Sequence, residues 1–376
     1  MGRQTSVGKE ARRSMHSAKV KKSNQIKKKI LILILWIGII CCITGLTLLY
    51  GPYRGFREWL ITTANSTMTH QYLATWFYDE TTIAEALERN KLIEVIGSTD
   101  TSQIQFIVDD NKGPFENKYE EAVLKRADNN NDYKIIRIKE EKFTGYLAVI
   151  YDPSRIKTVA TSNMGKSGEY LSELSRKNHS LVGINAGGFA DDGGNGTGGT
   201  PLGITICSGK VVTENPYNNS GLGGGLIGFN EQNILILDSN NNTDGIRDGV
   251  TFGPFLIVNG ETSKITGPVA GGRSPRSAIA QRADGKVLFL VLDGDRNLGR
   301  GATYSEEIEI LKNYGAINAA NLDGGTSTCM TVGDTLINDP TSKDSDGRSR
   351  QIATAFILTD DGQNNGDHSV VANKLN

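Results

Sequence analysis

Two short stretches of this 376-residue chain share one arrangement of residues able to bind and activate a polar ligand. The first is Leu181-Val-Gly-Ile-Asn185-Ala-Gly187-Gly188-Phe189, an apolar run ending in an asparagine and two glycines. The second is Ala316-Ile-Asn-Ala-Ala-Asn321-Leu-Asp323-Gly324-Gly325-Thr326, which ends the same way and adds an aspartate. A glycine pair straight after a strand permits a sharp turn and lets backbone N–H groups approach a ligand closely. Ligands of open sheets collect beyond the carboxyl ends of strands, so Asn185, Asp323 and their glycines are candidates for one cleft. The competing reading is that both are ordinary strand-end turns with a capping Asn or Asp.

Other chemistries lack support. No Gx4GK[ST], GxSxG or HExxH pattern occurs, which leaves nucleotide hydrolysis, serine-hydrolase and zinc-protease readings without a motif. Cys41 and Cys42 lie in an apolar run; Cys207 and Cys329 are far apart, without CxxC or Cys/His spacing for zinc. Those last two are either two buried thiols or a disulfide on an oxidising surface. The run DDGGNGTGGT, Asp191–Thr200, is either a plain flexible loop or a lid with acidic ligands for Ca2+ or Mg2+. No metal ligand is assigned. His179, the only histidine between residues 141 and 360, falls at a helix end and carries no catalytic assignment.

The elements that must hold these residues are mostly strands. Runs of strand character cover Tyr133–Ile138, Gly145–Tyr151, Leu181–Asn185, Gly203–Cys207, Leu226–Phe229, Ile234–Leu237, Phe255–Val258, Lys286–Leu292, Ala316–Leu322 and Gln351–Leu358. Asp152-Pro153, Ser208-Gly209, Asn259-Gly260 and Asp284-Gly285 punctuate them; Asn-Gly and Asp-Gly between apolar runs are hairpin signals. Two helices are expected, over Ser167–Asn178 and Tyr304–Tyr314. The second has a capping box in Thr303 and Glu306, a stop at Gly315, and an apolar face of Tyr304, Ile308 and Leu311. Many strands and few helices, not alternating, predict an α+β domain: a mixed β-sheet with a few packed helices.

The front of the chain is unlike the rest. Residues 1–29 hold ten of the 41 Lys and Arg and one acid, Glu10; the remainder is acidic, with 31 bases against 41 acids. Such a body argues against nucleic acid as a partner. Ile30–Tyr50 carries no charge, and 21 residues span about 30 Å, the thickness of a bilayer's hydrocarbon. An uncleaved transmembrane helix is expected, with Lys27, Lys28 and Lys29 keeping the N-terminus cytoplasmic and the body outside the cell. The expected layout is a basic tail over 1–29, a membrane helix over 30–50, a mainly helical stalk or accessory segment over 52–140, a main domain over 141–360 and a polar tail over 361–376. Within the stalk, Gly55–Leu87 reads as helical, His70 as a packing or surface residue, and Asp128–Asp132 as a boundary loop.

Residues of about 145 to 360 resemble the phosphodiester glycosidase domain. Six ordered blocks carry the likeness: INAGGF (Ile184–Phe189), PLGITICSGKVV (Pro201–Val212), FGPFLIVNGE (Phe252–Glu261), SPRSAIAQRADGKVLFLVLDGD (Ser274–Asp295), GATYSEEIEILKNYGAINAANLDGGTSTCM (Gly301–Met330) and RSRQIATAFIL (Arg348–Leu358). The NLDGG-x-S block is the most specific. One departure is Arg276-Ser277-Ala278-Ile279-Ala280, where the family shows Arg-Thr-Ala-Ile-Gly; a methyl at Ala280 could crowd a backbone turn.

The resemblance implies hydrolysis between a sugar C1 and a phosphate oxygen. Phosphate leaves more readily than a sugar alkoxide, so a strong general acid is less necessary than in glycosidases that work with two carboxylates. Anion recognition and a carboxylate near the oxocarbenium-like centre are what the reaction requires. Asp323 is then the candidate nucleophile or general base, and Arg276 the phosphate clamp, with Arg350 second. Asp293 is a second carboxylate, a metal ligand or a turn residue. Gly187, Gly188, Gly324 and Gly325 would offer N–H groups, and Asn185, Ser277, Asn321 and Ser327 hydrogen bonds to sugar or phosphate. The expected whole is a membrane-anchored extracellular hydrolase of glycosyl phosphodiesters in surface polysaccharide or envelope polymers. Its rival is a non-catalytic carbohydrate-binding or polymer-assembly factor on the same fold.

Overall fold

A computed structural model describes residues 4–65, 71–107, 113–126, 130–190, 196–217, 223–294, 301–360 and 362. His70, Asp128, Asn129, Asp191–Asn195, Asp295 and all but Gly362 of the polar tail lie outside the described residues. The chain forms two compact units, 1–58 and 59–376.

The first unit is dominated by helix α1, Gln4–Tyr50. Its Gln25–Tyr50 stretch is long and apolar enough to cross a membrane. No proline interrupts it until Pro52, and a proline biases the preceding residue away from the helical region.

The helical stretch expected over Gly55–Leu87 is three helices: α2 (Arg54–Asn65), α3 (Tyr72–Thr75) and α4 (Glu80–Arg89). Asp79 starts α4, its carboxylate accepting from the Thr82 N–H at 2.7 Å. Next come β1 (Leu92–Ile93), α5 (Lys118–Leu124), β2 (Tyr133–Lys139), β3 (Thr144–Ile150) and β4 (Ile156–Ala160). Helix α6 (Leu171–Lys177) precedes β5 (Ser180–Asn185), β6 (Gly203–Cys207), β7 (Lys210–Asn215), β8 (Gly225–Asn230), β9 (Leu235–Asp238) and β10 (Ile246–Phe252). Then follow β11 (Phe255–Val258), β12 (Glu261–Thr262), β13 (Lys264–Ile265), β14 (Arg276–Arg282) and β15 (Val287–Asp293). Helix α7 (Tyr304–Asn313) leads into β16 (Ala316–Leu322), β17 (Met330–Val332), β18 (Thr335–Leu336) and β19 (Thr354–Thr359).

The class is α+β, as expected. One sheet has seven strands in the order β12-β11-β16-β14-β15-β3-β2; two have five, β7-β6-β10-β8-β9 and β18-β17-β5-β19-β4; β1 and β13 make a small fourth. Every pairing among the described residues is antiparallel, which suits the short hairpin connections. At Ser208-Gly209 and Asn259-Gly260 both residues have positive φ, the geometry of a two-residue hairpin turn.

The main core lies where the three large sheets meet. Phe289, Ile279 and Ala320 of the seven-stranded sheet pack with Val182, Ile184 and Phe356, and with Ile227, Phe229 and Val250. Burying one such large side chain stabilises the fold by about 1.5–3 kcal/mol. The other face of the seven-stranded sheet is covered by α7 and α5, through Tyr304, Ile308, Leu311, Ala122 and Val123. Helix α6 covers β5 and β19 through Leu171 and Leu174.

The sequence reading passed over several strands, β4, β7, β10, β14 and β17 among them, and set one segment apart from the sheets. Strand β14 escaped it, because Ala278, Ala280 and Gln281 are weak strand formers; the strand exists because β15 and β16 sandwich it. The segment 52–140 is not set apart from the sheets. Residues 91–107 run along them as a strap: Leu92 pairs with Ile265, Thr99 N–H donates to Leu237 O at 3.0 Å, and Gln105 N–H to Ala283 O at 2.8 Å. Helix α5 adds its side chains to the core, and the buried Lys134 Nζ donates to Ala122 O at 2.7 Å and Lys125 O at 2.6 Å.

Candidate active site

The two matched stretches meet in space. Each begins with a helix, α6 or α7, that feeds a buried strand, β5 or β16, and each strand ends at its glycine turn. Asp323 N–H donates to Ala186 O at 2.9 Å, and Asn185 Nδ2 donates back to Asp323 O. Asn185 Oδ1 accepts from Ser277 Oγ at 2.8 Å and from Cys329 N–H at 3.0 Å. Asn185 is therefore a buried clasp joining β5, β14 and the turn after β16. Ser277 is sealed inside this clasp and does not face a ligand, and Cys329 contributes only its backbone.

The glycines divide by what their N–H groups already do. Gly187 N–H is held by Thr354 Oγ1 at 3.0 Å, and Gly325 N–H by Pro275 O at 2.9 Å. Among the described residues the N–H groups of Gly188 and Gly324 have no acceptor, and these two remain for a ligand. Gly325 sits at φ +60°, which favours glycine.

Arg276 opens β14, and its Cα lies 3.9 Å from where a Cβ on Gly324 would be. The β14–β16 register pairs Ser277 with Leu322, so Arg276 and Asp323 occupy the next positions on neighbouring strands. Arg276 as a residue is 6% exposed. Its Nε donates to Ala302 O at 3.2 Å, its Nη2 to Gly271 O and Gly272 O at 3.0 Å each, and its plane lies over the Tyr304 ring at 3.8 Å. The carbonyls take Nε and Nη2 and leave Nη1. Gly271 makes this possible: it has φ +68°, and a Cβ there would stand 2.2 Å from the Tyr304 ring.

Helix α7 also carries a buried carboxyl, three residues after Tyr304, that feels the Arg276 charge. Glu307 is fully buried, neither oxygen has a hydrogen-bond partner among the described residues, and burial pushes its pKa up to about 8 against the pull of Arg276. Tyr304 is also raised by burial, with Arg276 opposing. Tyr217 belongs to the same neighbourhood. Its buried hydroxyl has no partner among the described residues, and burial, then Glu94, Tyr304 and Asp323, push its phenol far above the ordinary range. Glu94 comes from the strap, accepting from Gly224 N–H at 2.7 Å and from Phe255 N–H; burial raises it.

These four residues were not foreseen. The one local signal was Glu307 itself, a charge three residues from Tyr304 on the apolar face of α7. Glu94 and Tyr217 carried none.

Arg350 bridges the two turns from outside. Its Nη1 donates to Thr326 Oγ1 at 3.0 Å, its Nη2 to Gly196 O at 3.1 Å, and it lies 4.7 Å over the Phe189 ring. Asn321 turns inward, Nδ2 donating to Gly253 O at 3.1 Å and Leu322 O at 2.9 Å, while its buried Oδ1 has no partner. Ser327 is buried in the turn, its N–H on Gly324 O at 3.1 Å.

Asp293 is a fastener. Oδ1 accepts from Asn338 Nδ2 at 2.7 Å and Oδ2 from Asp339 N–H at 2.9 Å, so both oxygens are engaged, and burial raises its pKa. Ala280 crowds no turn; it is buried in mid-strand opposite Leu288 and Ala319. Cys207 and Cys329 are separate thiols, both raised to about 12 by burial, rather than a disulfide. Among the described residues no group of three or more His, Cys, Asp and Glu side chains forms a cation site.

Residues 178–359 match the sequence model of the phosphodiester glycosidases. The SPbeta prophage-derived uncharacterized protein YomE of Bacillus subtilis (strain 168) is 26% identical over 202 residues, which are 51% of this chain and 30% of that protein. The chain thus spans less than a third of the length of this curated relative. Among solved structures, the catalytic domain of zebrafish N-acetylglucosamine-1-phosphodiester alpha-N-acetylglucosaminidase, auto-inhibited by its pro-peptide, is 20% identical with a TM-score of 0.48, over 61% of this chain and 82% of that one. A hypothetical protein from Synechocystis is 17% identical with a TM-score of 0.42, over 60% of this chain and 61% of that one. A putative exported protein from Burkholderia pseudomallei K96243 is 15% identical with a TM-score of 0.39, over 58% of this chain and 74% of that one.

Proposed function

We propose that this chain, which carries a phosphodiester glycosidase domain over residues 178–359, hydrolyses the bond between a sugar C1 and a phosphate oxygen outside the cytosol, held to the membrane by one helix. The observation that carries the proposal is the meeting of the two glycine turns through Asn185 and Asp323, with Arg276 at the adjoining strand position. A carboxylate and a guanidinium are the two groups this reaction needs.

In the proposed reaction water supplies an oxygen to C1. The C1–O bond to phosphate breaks, and its electron pair leaves on a phosphomonoester. Asp323 acts at C1, either by taking the proton of the incoming water or by adding first as nucleophile, with water then releasing the sugar. Arg276 offers Nη1 to the phosphate, and the free N–H groups of Gly188 and Gly324 stand at the turns beside it. Arg350 supports the turns and lends positive charge at their rim. The membrane helix, preceded by Lys27, Lys28 and Lys29, supports a cytoplasmic N-terminus and an outer catalytic domain. Surface or envelope polymers with sugar-1-phosphate links are the proposed substrates.

The test is release of free reducing sugar from a sugar-1-phosphodiester by the full chain in detergent. Asp323→Asn and Arg276→Ala should each lower kcat/KM at least about tenfold with the fold kept. Polymer binding without any turnover would favour the assembly-factor reading instead. Unchanged rates in both variants would remove the site assignment.

A further inference from the structure

We infer that Glu307 is a positioning residue that couples anion binding at Arg276 to a proton: its carboxyl is the built-in counter-charge of Arg276, ionised when the guanidinium is vacant at high pH and neutral when a substrate phosphate occupies it. This rests on the reading of Arg276 as the phosphate clamp, and adds a residue and a pH dependence to it.

The geometry leaves Glu307 few other roles. It is fully buried on α7, one turn from Tyr304, whose ring carries the Arg276 guanidinium at 3.8 Å. A buried carboxyl is usually fastened by N–H or O–H donors. Here, among the described residues, neither oxygen has one. Leu256, Ile257, Ala278, Ala280 and Ala319 of the strands pack in the same apolar cluster as α7. Among the described residues, the charge that opposes burial at Glu307 is Arg276 on β14. The phenol on its own helix, Tyr304, feels Arg276, Glu307 and Glu94.

Arg276 in turn is held by carbonyl oxygens, Nε by Ala302 O and Nη2 by Gly271 O and Gly272 O. A buried cation and a buried acid that are not hydrogen-bonded to each other share one dependence. Ionising Glu307 is tolerable only while Arg276 is uncompensated, and an arriving phosphate competes for the same positive charge. Burial holds Glu307 near 8, so the competition falls just above neutral pH. At pH 7 the acid is mostly neutral and the clamp is open to anions. Above pH 8 an anion binds only as a proton is taken up.

The experiment measures binding of dimethyl phosphate, a monoanion throughout the range, to the full chain in detergent by calorimetry from pH 7 to 9.5. Wild type should weaken about tenfold per pH unit above about 8, or about 30-fold overall, and should take up close to one proton per anion at pH 9 in buffers of different ionisation heat. Glu307→Gln should bind within about twofold of the same affinity across the range, with no proton uptake. A pH-independent wild type, a missing proton, or an E307Q variant with the wild-type pH profile overturns the inference. No binding at pH 7 does so as well. The wild-type proton count stands alone if E307Q folds poorly. Because binding is read without turnover, a chain that fails to hydrolyse sugar phosphodiesters yet shows the coupling sinks the enzymatic proposal and leaves this one, and the reverse result does the opposite.

Discussion

The Asn185 side chain and the Asp323 backbone hold each other: Nδ2 donates to Asp323 O, and Asp323 N–H reaches Ala186 O, the residue after Asn185, at 2.9 Å. Two strand ends from different sheets thereby become one edge. The carboxylate at that edge is aimed by a hydrogen-bonded backbone rather than by a loop of its own.

Asn185→Ala should show how much that clasp holds. It removes three hydrogen bonds and leaves Ser277 Oγ, Cys329 N–H and Asp323 O without their partner. The expected loss is about 3 kcal/mol or more in urea unfolding of the full chain in detergent. Ser277→Ala, which removes one of the three, should cost only about 1 kcal/mol. Equal losses from the two would contradict the clasp.

Gly271→Ala tests the platform under Arg276. A methyl there would need positive φ and would stand 2.2 Å from the Tyr304 ring, so the ring and the guanidinium on it must shift. The expected result is a KM raised about tenfold or more with a smaller fall in kcat, read from initial rates on a sugar-1-phosphodiester. A wild-type KM would separate Arg276 from phosphate binding.

Asp293→Ala should do the reverse. Both carboxylate oxygens fasten the Asn338-Asp339 turn, so the variant should lose about 1–3 kcal/mol of stability and keep kcat/KM within about threefold at a temperature where it is folded. A loss of rate matching that of Asp323→Asn would restore Asp293 to the catalytic set.

Glu307 predicts a pH dependence of stability with a definite sign. Its folded pKa, about 8, exceeds the unfolded value of 4.5. Between those values the unfolded chain releases a proton that the folded chain keeps, so stability falls as pH rises. The slope approaches 1.4 kcal/mol per pH unit and levels off above about 8. Glu307→Gln should melt close to wild type at pH 4.5 and progressively higher towards pH 8. Melting curves of equal pH dependence would show that Glu307 is ionised or paired in the folded chain.

The sequence carried most of the architecture. Hairpin pairs such as Ser208-Gly209 and Asn259-Gly260 have backbones that few other residues adopt, so local chemistry sets those turns. The capping box of Thr303 and Glu306 and the stop at Gly315 were legible for the same reason: each is satisfied within a few residues of chain. Strand β14 was not, since its stability comes from β15 and β16 on either side and not from its own residues.

For the site, the residue sequence alone determined which groups are present: an asparagine, an aspartate and an arginine beside glycine turns, in blocks that carry the family pattern, behind a helix long enough to cross a membrane. Tertiary structure decided their duties. It made Asn185 and Ser277 a clasp, Asp293 a fastener and Glu307 a buried acid, and it brought Glu94 of the strap and Tyr217 to the edge where Asp323 stands. Residue type sets what a side chain can donate, accept or titrate. Burial and the partner across the fold set which of those it does, and both arise from contacts between positions far apart along the chain.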